Sequence, residues 1–239
     1  MKHVWGTFAL AAILCVASAV DRSRAGDQPE PGFTSLFNGK DLTGWKYYKE
    51  KLDGKTETAD KRFTVENGII VANEGKGIKD LYTVASFNND FILRMEFRAS
   101  LKSDSGVYVR GPQLQVRDYI RRKERPQLKK FKNDDWNELE IIVKGGVVTT
   151  VVNGKKLAPQ DTLEVSVKNG QPSAQLNGKA VDISKIEVAR GAVAKCYCNG
   201  EFLEDMPIPT KSGQGIGLQA ETGKFEFRRI RIKEASSAP

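Results

Sequence analysis

The sequence predicts an all-β protein, an antiparallel sandwich that follows an export signal. Three observations predict the sandwich. Asn-Gly occurs six times, at Asn38, Asn67, Asn153, Asn169, Asn177 and Asn199. Both residues tolerate the positive φ of a tight hairpin turn, so the pair between apolar runs signals two antiparallel strands. Apolar and polar residues alternate over short stretches, the period of a strand with one buried face. No long segment carries the 3.6-residue period of an amphipathic helix.

At the N-terminus, Lys2 and His3 precede an apolar run from Val4 to Val16, and Ala17-Ser18-Ala19 supplies small residues for cleavage after Ala19. This is the pattern of a signal peptide, so the mature chain is expected to be periplasmic or secreted. The run is shorter than the roughly 20 apolar residues of a membrane span, and no later stretch approaches that length. Phe63-Thr64-Val65-Glu66, Asn67-Gly68 and Ile69-Ile70-Val71 then read as a hairpin. From Asp90 to Phe97, Phe91, Leu93, Met95 and Phe97 alternate with Ile92, Arg94 and Glu96. Residues 105–110, 113–118, 136–144 and 147–152 continue the strand pattern. Leu139–Lys144 with Asn153-Gly154 is echoed by Leu163–Lys168 with Asn177-Gly178, and more loosely by Ile186–Val188 with Asn199-Gly200. The echo reads as a local duplication of hairpins that extends a sheet. In the last strand, strict alternation would put Phe225 and Phe227 opposite Ile230 and Ile232. A bulge at Arg228-Arg229 would restore one apolar face. Residues 235–239 are expected to form a disordered tail.

The formal charge is +8, concentrated in Arg117, Arg121, Arg122, Lys123, Arg125, Lys129, Lys130 and Lys132, against Asp118 and Glu124. This stretch, residues 117–132, reads as a solvated loop around Pro126 or as a patch for an anionic polymer. Nucleic acid is not an expected partner of an exported chain. Past the signal only Cys196 and Cys198 remain, with no histidine. A Cys-x-Cys pair on a strand shares one face, where a mutual disulfide needs unusual geometry, so two half-buried thiols are expected. The lack of histidine excludes Ser-His-Asp and Cys-His catalysis. No cofactor is evident. Asp104, Asp134 and Asp135 have the hard oxygens calcium prefers, but as isolated loop acids they read as solvated.

Several segments, in order, resemble the 3-keto-disaccharide hydrolase domain family, formerly a domain of unknown function. They are Gly32-Phe33-Thr34-Ser35-Leu36-Phe37-Asn38-Gly39-Lys40-Asp41-Leu42-Thr43-Gly44-Trp45, Phe63–Gly68, Asp90–Arg98, Asp104–Gly111, Gln113–Asp118, Trp136-Asn137, Pro207-Ile208-Pro209, Ile216–Gln219 and Phe225–Lys233. The resemblance implies one domain over residues 32–234, a jelly-roll β-sandwich of the concanavalin A-like lectin and glucanase type with an extra insertion of duplicated hairpins over residues 155–198. It also implies an exported hydrolase of glycosides whose sugar is oxidised to a ketone at C3. The chain departs from the family in having Gln113 where many members have Glu, and in lacking a histidine near Ala220 and Glu221.

A C3 ketone makes the C2 proton acidic and places the C1 oxygen β to the carbonyl. Removal of that proton, expulsion of the aglycone and hydration of the enone cleave the bond. The route needs a base, a partner for the enolate oxygen and a proton donor. Strand parity groups Tyr108 with Arg110, Gln113 with Gln115, Gln219 with Glu221, and Arg94 with Glu96 and Arg98. Glu96 or Glu221 is the candidate base, Arg110 the enolate partner and Tyr108 the donor. Gln113, Gln115 and Gln219 would read sugar hydroxyls, Asp118 could swing into the cleft from its strand end, and Trp45 could stack on a ring. A structural ion pair of Glu96 with Arg94 or Arg110, and a core position for Trp45 or Trp136, are the competing readings. The alternative function is a non-catalytic, lectin-like carbohydrate-binding module on the same sandwich.

Overall fold

The computed structural model describes residues 29–158, 160–168 and 170–235, so the predicted signal peptide and residues 236–239 lie outside it. In chain order the strands are β1 (Thr34–Ser35), β2 (Trp45–Tyr47), β3 (Glu50–Lys51), β4 (Phe63–Glu66), β5 (Ile69–Ala72), β6 (Lys79–Thr83), β7 (Phe91–Ala99), β8 (Asp104–Tyr108) and β9 (Gln113–Arg117). There follow β10 (Asn137–Val152), β11 (Lys155–Lys156), β12 (Leu163–Lys168), β13 (Gln171–Leu176), β14 (Lys179–Val181), β15 (Ile186–Cys198), β16 (Glu201–Ile208), β17 (Gly217–Ala220) and β18 (Phe225–Glu234). Among the described residues the helical content is one 3-10 turn, Ile183–Lys185, and no helix is long and apolar enough to cross a membrane.

Two antiparallel sheets make the sandwich. The larger runs β16-β15-β10-β7-β18-β5-β4, with β1 on β18 and β11 on β10; the smaller runs β3-β2-β6-β17-β8-β9. Their facing sides are the alternate apolar rows. Leu93, Met95, Phe97, Leu139, Ile141, Ala194, Phe225 and Phe227 of the larger sheet share one core with Trp45, Leu81, Val107, Leu114, Val116 and Leu218 of the smaller. Cys196 and Cys198 both point into that core as free thiols, more deeply buried than expected. Burial pushes both thiols up to about 12, so they stay protonated.

The Asn-Gly turns behave as their chemistry requires at four places. Asn67-Gly68, Asn153-Gly154, Asn177-Gly178 and Asn199-Gly200 have positive φ at both residues and close the hairpins β4–β5, β10–β11, β13–β14 and β15–β16. Asn38-Gly39 is different: the Asn38 carboxamide oxygen accepts from the backbone N–H groups of Lys40 and Asp41, making an Asx turn and no hairpin. Asn169 lies outside the described residues. The predicted strands 136–144 and 147–152 are one long strand, β10, whose register shifts between Lys144 and Val147. The bulge expected in β18 is present. Its register shifts between Arg228 and Arg231 with Arg229 at φ 52°, and Phe225, Phe227, Ile230 and Ile232 are all buried. Strands β12, β13 and β14 form a separate three-stranded sheet, which among the described residues pairs with neither sheet of the sandwich.

Candidate functional site

The outer face of the six-stranded sheet is polar because one side of every strand is polar while the other fills the core. Cross-strand register lays its residues out in rows. One row is Lys46 opposite Tyr82, Tyr82 opposite Gly217, Gly217 opposite Tyr108, and Tyr108 opposite Gln113. The next holds Asp80 opposite Gln219, and Gly106 opposite Gln115. Asp104 opposite Arg117 forms a third, with Glu221 just past the end of β17.

The amides of this face form a chain of hydrogen bonds that runs one way. Gln115 Nε2 donates to Gln113 Oε1 at 3.2 Å, and Gln113 Nε2 donates to Gln219 Oε1 at 2.7 Å. Gln219 Nε2 donates in turn to the Tyr108 hydroxyl oxygen at 2.6 Å. Each donation polarises the next group, and the series leaves the Tyr108 proton free to be given away. Two glycines make the chain sterically possible. A Cβ on Gly106 would lie 1.8 Å from Gln113 Nε2, and one on Gly217 would lie 2.5 Å from the Tyr82 ring. The Tyr82 and Tyr108 rings flank Gly217, their centroids 5.5 Å apart and tilted by 37°.

Three buried side-chain oxygens among the described residues have no hydrogen-bond partner, and two of them, Asp80 Oδ1 and Gln115 Oε1, are on this face. Desolvation is the main cause that raises the Asp80 pKa; the Tyr108 hydroxyl and the Gln219 amide beside it oppose the rise. Neither donates to Asp80 with hydrogen-bond geometry, since Gln219 Nε2 is directed at Tyr108. The Tyr108 phenol is pushed up to about 12, first by burial and then by the Asp80 charge, so it is a neutral donor at physiological pH. Glu221 is also raised, by burial and then by Asp104, with Arg117 and Arg122 opposing. Beside Asp80 is a pocket of about 280 Å³, lined by Lys46, Tyr48, Ile78, Lys79, Asp80, Tyr82 and Gln214.

The structure therefore brings Tyr108, Gln113, Gln115, Gln219 and Glu221 onto one face, and it moves four expected residues elsewhere. Glu96 lies on the outer face of the other sheet, on β7, where it accepts from Arg228 Nε at 2.7 Å and Arg229 at 2.8 Å. It is in an ion pair, with those two arginines rather than Arg94 or Arg110. Arg110 takes φ 53°, which breaks the strand alternation that would have set it beside Tyr108. Its buried guanidinium donates to the carbonyls of Phe87 (2.9 Å), Asn89 (2.6 Å) and Thr210 (3.0 Å), tying two loops together. Trp45 is fully buried, its Nε1 donating to the Leu36 carbonyl at 2.8 Å. Asp118 is fully buried and accepts from the Lys102 backbone N–H and from Arg121. Trp136, conversely, is not in the core: it is half-buried on the larger sheet, with Arg228 3.9 Å and Arg98 4.8 Å from its ring centre.

The residues missed by sequence reasoning are Asp80, Tyr82 and Lys46. The available signal was the alternation of Asp80 and Tyr82 with Leu81 and Thr83, a strand too short to stand out. Of the acids considered for calcium, Asp104 pairs with Arg117 and Arg122, Asp134 with Arg121, and Asp135 caps the Trp136 backbone N–H. Among the described residues no three His, Cys, Asp or Glu side chains are grouped to hold a metal ion. In the basic stretch, Arg117, Arg121, Arg122 and Arg125 are all engaged by carboxylates, which leaves its lysines as the freer charges.

Residues 32–233 match the family model described as the 3-keto-alpha-glucoside-1,2-lyase-like domain. No curated protein matches the chain. Among solved structures, a candidate glycosyl hydrolase from Parabacteroides distasonis is 18% identical, over 85% of this chain and 99% of its own, with a TM-score of 0.45. The β-glucanase of Bacillus licheniformis is 10% identical over 87% of this chain and 100% of its own, with a TM-score of 0.37. The carbohydrate-binding module CBM66 of Bacillus subtilis is 13% identical over 81% and 97%, with a TM-score of 0.34.

Proposed function

Since the chain belongs to the 3-keto-alpha-glucoside-1,2-lyase-like domain family, we propose that it cleaves glycosides bearing a ketone at C3, on the outer face of its six-stranded sheet. The observation that supports this reading is the one-way amide chain that ends on a neutral phenol beside a half-buried carboxylate. Elimination across C1–C2 needs a proton acceptor and a proton donor close together, and it does not need the two opposed carboxylates of ordinary glycosidases. Tyr108 is the donor to the leaving oxygen. Gln113 and Gln115, on neighbouring positions of the same face, meet sugar hydroxyls. Water then adds to the enone, its hydroxyl on C1 and its proton on C2, completing a net hydrolysis. The basic stretch remains a proposed site for an anionic polymer, carried by Lys123, Lys129, Lys130 and Lys132.

The test is to incubate the purified protein with a 3-keto glucoside and its unoxidised parent, following aglycone release and the transient ultraviolet absorbance of the enone. Release from the keto sugar alone is expected, with Tyr108→Phe lowering kcat by about 10²–10³-fold, the scale of a lost general acid. Binding of the keto sugar without turnover would overturn the reading and leave a carbohydrate-binding module.

A further inference from the structure

We propose that the pocket beside Asp80 receives the oxidised ring and that Asp80 is the base that takes its C2 proton. The inference deepens the reading above and rests on it. At about 280 Å³ the pocket falls just under the roughly 300–1,000 Å³ of drug-sized sites, which suits one sugar ring rather than a chain. Tyr82 and Tyr48 supply aromatic surface at it, the kind of amphipathic face on which a sugar ring packs.

The electrostatics are those of a working base. Asp80 has a buried, unpartnered oxygen and no ion pair among the described residues, although two lysines line the same pocket. Lys79 donates to the Tyr48 hydroxyl at 2.7 Å and lies over that ring. No hydrogen bond or ion pair claims Lys46 among the described residues. A half-buried carboxylate left without a cation is costly to the fold, and the raised pKa of Asp80 reports that cost. Glu221 lies outside the pocket lining, past the end of β17, in the field of Asp104, Arg117 and Arg122.

The steps balance with these groups alone. The Asp80 carboxylate takes the C2 proton, and the C–H electron pair forms C2=C3 with negative charge on the C3 oxygen, which the Lys46 ammonium balances. The enolate re-forms the ketone, C1=C2 forms, and the bond from C1 to the aglycone oxygen breaks as that oxygen takes the Tyr108 proton. The proton on Asp80 then passes to the Tyr108 phenolate beside it, restoring both groups. Groups that bear on the Asp80 titration are Lys79 and Tyr82 on its own strand, Tyr108 on β8, Glu221 after β17, and Lys46 and Tyr48 from β2 and its end.

The experiment compares the full chain with Asp80→Asn, Asp80→Glu and Glu221→Gln on a 3-keto glucoside, with circular dichroism as the check on folding. Asp80→Asn is expected to lower kcat by about 10²–10⁴-fold with KM within about threefold of wild type. The acidic limb of the wild-type kcat/KM profile should lie above the ordinary aspartate range, and Asp80→Glu should move it. If Asp80→Asn does not fold, Asp80→Glu carries the test, because a base displaced by about 1 Å costs up to about 10²-fold. An active wild type combined with near-normal kcat in Asp80→Asn or Asp80→Glu would overturn the assignment alone. A greater loss in Glu221→Gln than in Asp80→Asn would move the base to Glu221 and overturn it too. An inactive wild type overturns both this inference and the reading it rests on.

Discussion

At Asp80, a buried carboxylate oxygen without a donor destabilises the fold by about 1–3 kcal/mol. The pH dependence follows from its direction of shift. Its folded pKa lies above the ordinary 3.8, so the folded state holds the proton more tightly than the unfolded chain. Relative to a charged, exposed aspartate, that favours the fold fully below the unfolded value, and the advantage is lost as pH rises through the folded value. At neutral pH the penalty is complete. Asp80→Asn, which removes the charge, should therefore melt about 2–4 °C higher than wild type at pH 7, the response to roughly 1 kcal/mol in a domain of this size. The gain should vanish below pH 4. Melting curves at the two pH values check this, and a lower melting temperature for Asp80→Asn at pH 7 would contradict it. Arg110 makes the opposite point at the same scale. Parity assigned it to the face of Tyr108, but a single left-handed residue ends the alternation, and the backbone carbonyls of two loops claim its guanidinium.

Between β8 and β9 the geometry depends on what is missing from Gly106. Its backbone is not in the left-handed region, so alanine is conformationally acceptable there, but the added Cβ would occupy the path of Gln113 to Gln219. Gly106→Ala should leave the melting temperature nearly unchanged and weaken binding of a 3-keto glucoside about tenfold, the loss of one hydrogen bond to the chain of amides. Gln113→Ala should do the same. The double variant should be no worse than either single one, because both remove one contact. Calorimetric titration of the three variants checks this; additive losses would show that Gly106 acts through something other than Gln113. In β18, two phenylalanines and two isoleucines of opposite parity share one core, which demands an extra residue. That demand was visible in the residue order, and Arg229 at φ 52° meets it.

For the whole molecule, the three-stranded sheet is joined to the sandwich through the far ends of β10 and β15, where Val152 stands opposite Ile186. We propose that it is an addition to the sandwich rather than part of its support. Replacing residues 153–185 by one Asn-Gly turn would rejoin Val152 to Ile186 in the register they already hold. The shortened chain is expected to melt within about 4 °C of wild type, a change of about 1 kcal/mol or less, and to cleave its substrate at the same rate. Scanning calorimetry with the aglycone-release assay checks both. A broadened transition or a collapse of activity would make the segment integral to the domain.

Residue order by itself determined the antiparallel strands, most of their turns and the pairing of amides on one face, because these follow from local φ preference and a period of two; the family was legible separately, in the order of its motifs. It did not determine which face of which sheet each strand would show. Leu139–Lys144 and Leu163–Lys168 share one pattern, yet the first is half in the core and the second is almost wholly exposed. Glu96 has the parity of a wall residue, but β7 lies between β10 and β18 in the sheet opposite the glutamines. Asp80 acquires its unpartnered oxygen only when β6 pairs with β17 and brings Gln219 and Tyr108 alongside. Those outcomes depend on contacts between segments far apart in the chain, and burial and electrostatic fields exist only once such contacts form.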